Sequence, residues 1–338
     1  MRLLVLGGTR FVGRHLVATA LAAGHEVTLF HRGRTHPELF PQAEKLHGDR
    51  DRDGDLSRIA GRRWDAVVDC CGYRPRQVRA TARLLTGAVE QYVFISTVSV
   101  YADLVTGPSE ASALRTPPAG ADRDAEGGDA DYGALKVLCE QAAEEALPGR
   151  VLQVRPGLLV GPHDPTRRFS YWVHRLAAGG EVLAPGRPAG PVQLLDARDL
   201  AAWLLVAVER HSIGPYNVTA PRGSLSFGEL LETCRTVAGS DARVTWVDEE
   251  FLTSRDIEPW EDLPLWVPKE SSGFHDVDTS RAIASGLRPR PLAETVRDVL
   301  AEPGLGLGED AASPPRLGRE REAELLRAWH ERGRSPHA

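Results

Sequence analysis

Lysine is almost missing from this chain: of its 41 Lys and Arg residues only Lys45, Lys136 and Lys269 are lysines. Arginine serves wherever a generic positive charge is enough, so a retained lysine points to a specific need for an ammonium group. Cysteine is also scarce. Cys70, Cys71, Cys139 and Cys234 form no CxxC pair and no zinc-like spacing, which predicts reduced, mostly buried thiols and no metal. No stretch approaches the roughly 18 apolar residues of a membrane span. A strand-like run, Arg2 to Leu6, begins with no apolar signal segment before it, so the expectation is no membrane attachment and a cytoplasmic location. Internal repeats and low-complexity tracts are lacking too, which sets aside solenoids. A net charge of -6 argues against nonspecific nucleic-acid binding and leaves a small molecule as the expected partner.

What is present is ordinary globular material, 42% hydrophobic and 26% charged, in 338 residues. That is enough for one large α/β domain with an added lobe. RLLVLGG, RFVGRHLVATALAAG, HEVTLF, WDAVVDCC and QYVFIST alternate short apolar runs with helical patterns, a βαβ rhythm. Strands rich in Val, Ile and Leu without polar alternation imply a sheet covered on both faces. We therefore expect a doubly wound parallel sheet of the Rossmann type, with about six or seven strands. After Gly161, Pro, Gly and Trp become frequent and the rhythm breaks, then PVQLLDARDLAAWLLVAVER reads as a return to the core. The expected organisation is a dinucleotide-binding domain at 1–160 and 191–219, a discontinuous substrate lobe at 161–190 and 220–304, and a tail at 305–338 with a short helix.

The first strand runs into Gly7, Gly8, Thr9, Arg10, Phe11, Val12 and Gly13 and then a helix. Glycines at such a turn let backbone approach a pyrophosphate, whose charge a helix N-terminus stabilises. After the second strand, where NAD-selective folds carry an acid for the ribose 2′-hydroxyl, stand Phe30, His31, Arg32, Gly33 and Arg34. Arg32, helped by Arg34 or Arg10, suits a 2′-phosphate, so NADP is expected, with NAD as the alternative. Asp49, after the third strand, is placed to meet the adenine edge.

Tyr132 and Lys136 lie four residues apart, on one helical face. A phenol with an ordinary pKa of roughly 10 exchanges protons poorly near neutrality. An adjacent ammonium, and the positive nicotinamide ring of an oxidised cofactor, are expected to bring it toward the working pH. Ser96, Thr97 and Ser99 form a hydroxyl-rich segment at the carboxyl end of a strand, where open α/β sheets bind ligands. Tyr73, Ser99, Tyr101, His163, Trp172 and Trp266 are candidates to line a substrate pocket, with packing as the alternative for each aromatic.

Together GGTRFVG, FISTVSVY, YGALK and RPGLLVGP resemble the extended short-chain dehydrogenase/reductase family, including its NAD-dependent epimerase/dehydratase branch, across roughly residues 1 to 300. The resemblance implies Thr97, Tyr132 and Lys136 as a catalytic triad, Ser96 beside them, Gly7, Gly8 and Gly13 at the pyrophosphate, and a homodimer. Three departures qualify it. Arg10 replaces the middle glycine, a form similar to an atypical subgroup that includes the chloroplast stem-loop binding proteins. Val98 and Ser99 stand where sugar-nucleotide dehydratases carry Asp and Glu, so dehydration is not expected. Val192 stands where sugar-nucleotide epimerases carry an arginine for the diphosphate, although Arg187 or Arg168 could compensate. The leading expectation is hydride transfer between a nicotinamide and a substrate carbonyl or alcohol, with Tyr132 as acid or base. Its competitors are an epimerase that retains its NAD and a non-catalytic nucleotide-sensing or RNA-binding member.

Overall fold

The computed structural model describes residues 1–117, 132–268, 273–302 and 317–334. Lys269 and, within the expected tail, residues 305–316 and 335–338 lie outside the described residues.

Numbered along the chain, the first elements are β1 Arg2–Leu6, α1 Phe11–Ala22, β2 Glu26–His31, β3 Glu44–His47, α2 Asp53–Leu56, β4 Trp64–Asp69, α3 Pro75–Leu84 and β5 Val89–Ile95. There follow α4 Tyr132–Ala146, β6 Val151–Pro156, β7 Leu158–Val160, α5 Arg168–Ala177, β8 Glu181–Pro185, β9 Leu194–Asp196, α6 Ala197–Glu209 and β10 Gly214–Val218. The last are α7 Phe227–Ala238, β11 Arg243–Val247, α8 Glu249–Thr253, α9 Ser280–Ala284, α10 Leu292–Leu300 and α11 Arg319–Arg334. They fall into two compact units, one of Met1–Leu159, Leu194–Pro221 and Val277–Pro289, the other of Val160–Gln193, Arg222–Asp276 and Arg290–Ala338.

The first unit carries a seven-stranded sheet in the order β10-β6-β5-β4-β1-β2-β3, every pair parallel. The doubly wound α/β expectation is met. Its physical cause shows in β1, where Leu3 and Val5 enter one core cluster with α1 and α6, and Leu4 and Leu6 enter another with α3 and α4. Successive side chains point to opposite faces and both faces are covered, so the run is apolar throughout. Each such side chain contributes about 1.5–3 kcal/mol of burial. The strand order reverses between β1 and β4, and the crevice outside their carboxyl ends is where sheets of this kind take ligands.

Val277–Pro289, which composition assigns to the lobe, belongs to the first unit. The Thr279 hydroxyl donates to the Asn217 carbonyl at 2.9 Å, the Asn217 amide donates to the Asp278 carbonyl at 3.0 Å, and Ala282 and Leu287 join the α6 core.

The second unit pairs β8 with β11 in parallel. Helix α7 begins on a reciprocal capping box between Ser226 and Glu229 and ends at Gly239 in the left-handed conformation. Helix α11 belongs to this unit too, through Glu322, whose carboxylate takes the Arg175 guanidinium and the Leu183 amide.

Candidate active site

The turn after β1 is built on glycine. Gly7 and Gly8 hold φ of +94° and +93°, a region costly for any side chain, and a Cβ on Gly13 would lie 2.8 Å from the Gly8 Cα. Helix α1 is thereby pressed against the turn. Its first turn has no acidic residue and no side-chain cap, so its open N–H groups are left for an anion. A diphosphate fits this cradle.

The turn opens on a pocket of about 400 Å³ at the carboxyl ends of β1 to β4. Gly7, Gly8, Thr9, Arg10, Arg32, Arg34, Asp49 and Tyr73, all expected at a binding site, line it together. Phe11, Val12 and Gly13 do not. Their part is the first turn of α1, where Val12 packs on the core and Gly13 meets Gly8.

Residues that the sequence reading missed form the pocket's inner wall: Arg50, Asp51, Cys70, Cys71, Arg74 and Gln77. Arg50 grips Asp69 through two bonds of 2.7 and 2.8 Å, and the Asp69 carboxylate also accepts from the Tyr92 hydroxyl at 2.7 Å. Burial works to raise Asp69, but the Arg50 charge and the hydrogen bonds from Arg50, Tyr92 and the Cys71 backbone together outweigh it and hold the carboxyl below its ordinary range. Burial pushes both the Cys70 and the Cys71 thiol up, leaving them protonated. All four cysteines are free, as expected.

The hydroxyl segment and α4 meet at the ends of β4 and β5. The Lys136 ammonium donates to the Gly72 carbonyl at 3.0 Å and the Ile95 carbonyl at 2.8 Å, and it lies over the rings of Phe94, Tyr73 and Tyr132 at 4.7, 5.0 and 5.9 Å. Burial is the main cause that lowers its pKa, against the opposing pull of Cys139 and Asp69. Thr97 caps the turn Val98–Val100 and donates to the Ser99 hydroxyl at 3.2 Å. The Ser99 carbonyl takes the Arg115 guanidinium at 2.8 Å and leaves no room for a side chain at Gly133, which seats the start of α4. The Ser96 hydroxyl is buried without a partner among the described residues.

The part of the phenol expectation that rests on the ammonium is not met. Although Tyr132 is 49% exposed, partial loss of water around its phenol, then the neighbouring Tyr73, push it up to about 12, while Thr97 pulls the other way. Lys136 does not draw it down, because two carbonyls hold the ammonium beneath three rings.

Three aromatic substrate-pocket candidates, Tyr101, Trp172 and Trp266, are buried in packing instead. Tyr101 is fully buried, its hydroxyl donating to Asn217 at 2.6 Å and accepting from Arg155 at 3.0 Å, so its hydrogen-bonding capacity is spent in the core. Trp172 is fully buried in the second unit, its indole N–H on the Pro264 carbonyl at 2.6 Å and its ring against Tyr171 and Phe227; Trp266 is buried as well. His163, also in that unit, pairs with Glu302 at 2.7 Å. Tyr73 remains, exposed at the pocket's edge.

Comparison with known proteins follows this geometry. The model of the NAD-dependent epimerase/dehydratase family matches residues 3–219. The chloroplast stem-loop binding protein of 41 kDa b from Arabidopsis thaliana is 25% identical over 264 residues, 70% of this chain; the chain spans 63% of that protein's length. The 2′-dehydrokanamycin reductase of Streptomyces kanamyceticus is 28% identical over 267 residues, 75% of this chain and 72% of the reductase. The solved structure of human epimerase family protein SDR39U1 with NADPH superimposes with a TM-score of 0.58 at 22% identity, covering 89% of this chain and 99% of that one. That likeness shows a shared Rossmann-type α/β fold. Among the described residues no helix is long and apolar enough to cross a membrane, and no group of side chains suits a metal.

Proposed function

We propose that this chain, which belongs to the NAD-dependent epimerase/dehydratase family, is an NADP-dependent oxidoreductase that reduces a carbonyl of a small molecule, with Tyr132 as the proton donor. The observation that carries this reading is the pocket that gathers the Gly7-Gly8 turn with the exposed Arg32 and Arg34, and the phenol, pushed up to about 12, stays protonated across the neutral range and can serve as a donor. Reduction needs that donor. An epimerase that passes hydride out and back uses one group as base and as acid within a cycle, and so needs this phenol to lose its proton as well as to give it. The reductase from Streptomyces kanamyceticus, by its name, supports the same direction.

The nicotinamide, when bound, supplies the hydride. Gly7, Gly8, Thr9 and the N-terminus of α1 hold the diphosphate, Asp49 meets the adenine edge, and Arg32 and Arg34, helped by Arg10, hold a 2′-phosphate. His31 stands where an NAD-selective fold has an acid, which supports NADP. Thr97 orients the substrate oxygen beside Tyr132, with Ser96 next to it, and Tyr73 walls that end of the pocket. Lys136 keeps its ammonium at the ends of β4 and β5, where it meets the cofactor ribose. The second unit carries substrate specificity, and the enzyme works as a cytoplasmic homodimer without membrane or nucleic acid.

The test is NADPH oxidation by the purified protein with a panel of aldehydes and ketones. Tyr132→Phe is expected to lower kcat by about 10²–10⁴-fold while NADPH affinity stays within about threefold. Tightly held NAD released on denaturation, together with no NADPH consumption, would replace this reading with the epimerase. RNA binding that weakens steeply with salt, without turnover, would replace it with the nucleic-acid-binding alternative.

A further inference from the structure

The loop that presents Arg32 and Arg34 is shaped by two histidines. The Gly33 backbone N–H donates to the His31 Nδ1 at 2.9 Å. Because that N–H can only donate, the neutral ring carries its proton on Nε2, and this Nε2 is buried with no partner among the described residues. Burial, then His47 and Lys45, lower the His31 pKa, so the ring stays neutral and able to accept at physiological pH. On the other side of the turn stands His47, paired with His31 across β2 and β3, the two rings edge to face at 5.1 Å. Gly33 has φ of +68°, and a Cβ there would lie 2.8 Å from the His47 Nδ1. One imidazole therefore takes the turn's N–H and the other leaves space only for glycine.

A buried, unpartnered N–H brings no stability. The return for keeping histidine at this position is the acceptor on its other nitrogen, which reaches the amide two residues on much as an asparagine does in an Asx-turn. Arg32 and Arg34 flank the held glycine, are exposed, and line the pocket. No ion pair among the described residues engages either one.

We propose that His31 is a specificity-determining positioning residue: through the Gly33 amide, and with His47 as backstop, it pre-forms the Arg32-Gly33-Arg34 turn so that two guanidiniums meet the 2′-phosphate of NADPH together. The inference rests on the NADP reading above. Holding both cations ready removes the ordering cost that the phosphate would otherwise bear, and it acts only on the cofactor that has this phosphate.

The experiment is the ratio of NADH to NADPH dissociation constants, from nucleotide fluorescence, for the wild type, Arg32→Ala, His31→Phe and His31→Asn, with thermal melts of each. Phenylalanine keeps a ring without an acceptor; asparagine restores an acceptor for the same amide. His31→Phe is expected to cut the preference for NADPH by about tenfold while NADH affinity stays within about threefold, and His31→Asn to keep most of the preference. Equal weakening of both cofactors by His31→Phe, no change of ratio in His31→Phe, or loss of preference in both histidine variants overturns the inference. A misfolded His31→Phe leaves Gly33→Ala, expected to lose the preference likewise, and an unchanged ratio there also overturns it. If the wild type binds neither cofactor or prefers NADH, the NADP reading itself falls and this inference with it. If it prefers NADPH and Arg32→Ala removes the preference, the reading stands and the histidine variants alone decide.

Discussion

Replacing Glu322 by glutamine is expected to destabilise the second unit by about 3–5 kcal/mol, the range for removing one member of a buried ion pair. The Glu322 carboxylate takes the Arg175 Nε at 2.8 and 3.0 Å and the Leu183 amide at 3.0 Å, and each side chain of the pair is only 3% exposed. Glutamine preserves the shape but leaves the guanidinium buried with no opposing charge. If the loss comes from that uncompensated charge, removing it as well must recover part of the stability. The double variant Arg175→Met/Glu322→Leu is therefore expected to regain about half. Full recovery is not expected, because the Gly179 and Glu181 carbonyls that Arg175 also satisfies lose their donor, at about 1 kcal/mol each. The assay is urea unfolding followed by tryptophan fluorescence. It favours the second unit, since Trp172, Trp246, Trp260, Trp266 and Trp329 belong there and Trp64 and Trp203 to the first. A loss under about 1 kcal/mol for Glu322→Gln, or a double variant no more stable than the single one, refutes the reasoning.

Acid should weaken the second unit through His275, whose burial holds its pKa down to about 4 and whose Nδ1 accepts the Gln193 amide at 3.1 Å. With the folded value below the ordinary 6.5, this stability is present above pH 6.5 and is lost as pH falls toward 4, by about 3 kcal/mol, measured as unfolding free energy against pH; a curve equally flat in wild type and His275→Asn counts against it. Gly13→Ala would set a Cβ 2.8 Å from the Gly8 Cα, so α1 must shift away from the turn. The expected result is a loss of about 1–3 kcal/mol in stability and at least about tenfold in NADPH affinity by fluorescence titration, and unchanged affinity would show that the close approach does not matter. Cys70 and Cys71, although they line the pocket, should alkylate slowly with iodoacetamide at neutral pH because burial keeps both thiols protonated; rapid labelling of the folded protein is the contrary result.

The core was legible because sheet geometry writes itself into sequence. A strand buried on both faces reads as an unbroken apolar run, as Leu3 to Leu6 do, and a turn that must pass close to a helix reads as glycine. What escaped is whatever depends on meeting a partner from a distant element. Nothing around Arg50 or Asp69 signals that they will pair, since the turn after β3 and the end of β4, separated by two strands in the sheet, come together only at the pocket. Tyr101 and Trp172 read as pocket aromatics for the same reason, because their partners Asn217 and Pro264 lie 116 and 92 residues away. The closing segment Val277–Pro289 shows the same limit at larger scale, its composition resembling the lobe while Thr279 and Ala282 fit the first unit's core.

The same limit explains the error about the phenol. Helical spacing correctly places Tyr132 and Lys136 on one face of α4, but adjacency on a helix says nothing about what the facing strands offer an ammonium. Here β5 offers the Ile95 carbonyl and the turn after β4 the Gly72 carbonyl, both within 3.0 Å, and the ammonium turns to them. Loss of water and Tyr73 then dominate the phenol's shift. A phenol left protonated in this way supports the donor role proposed for it, a feature that sequence periodicity could not supply.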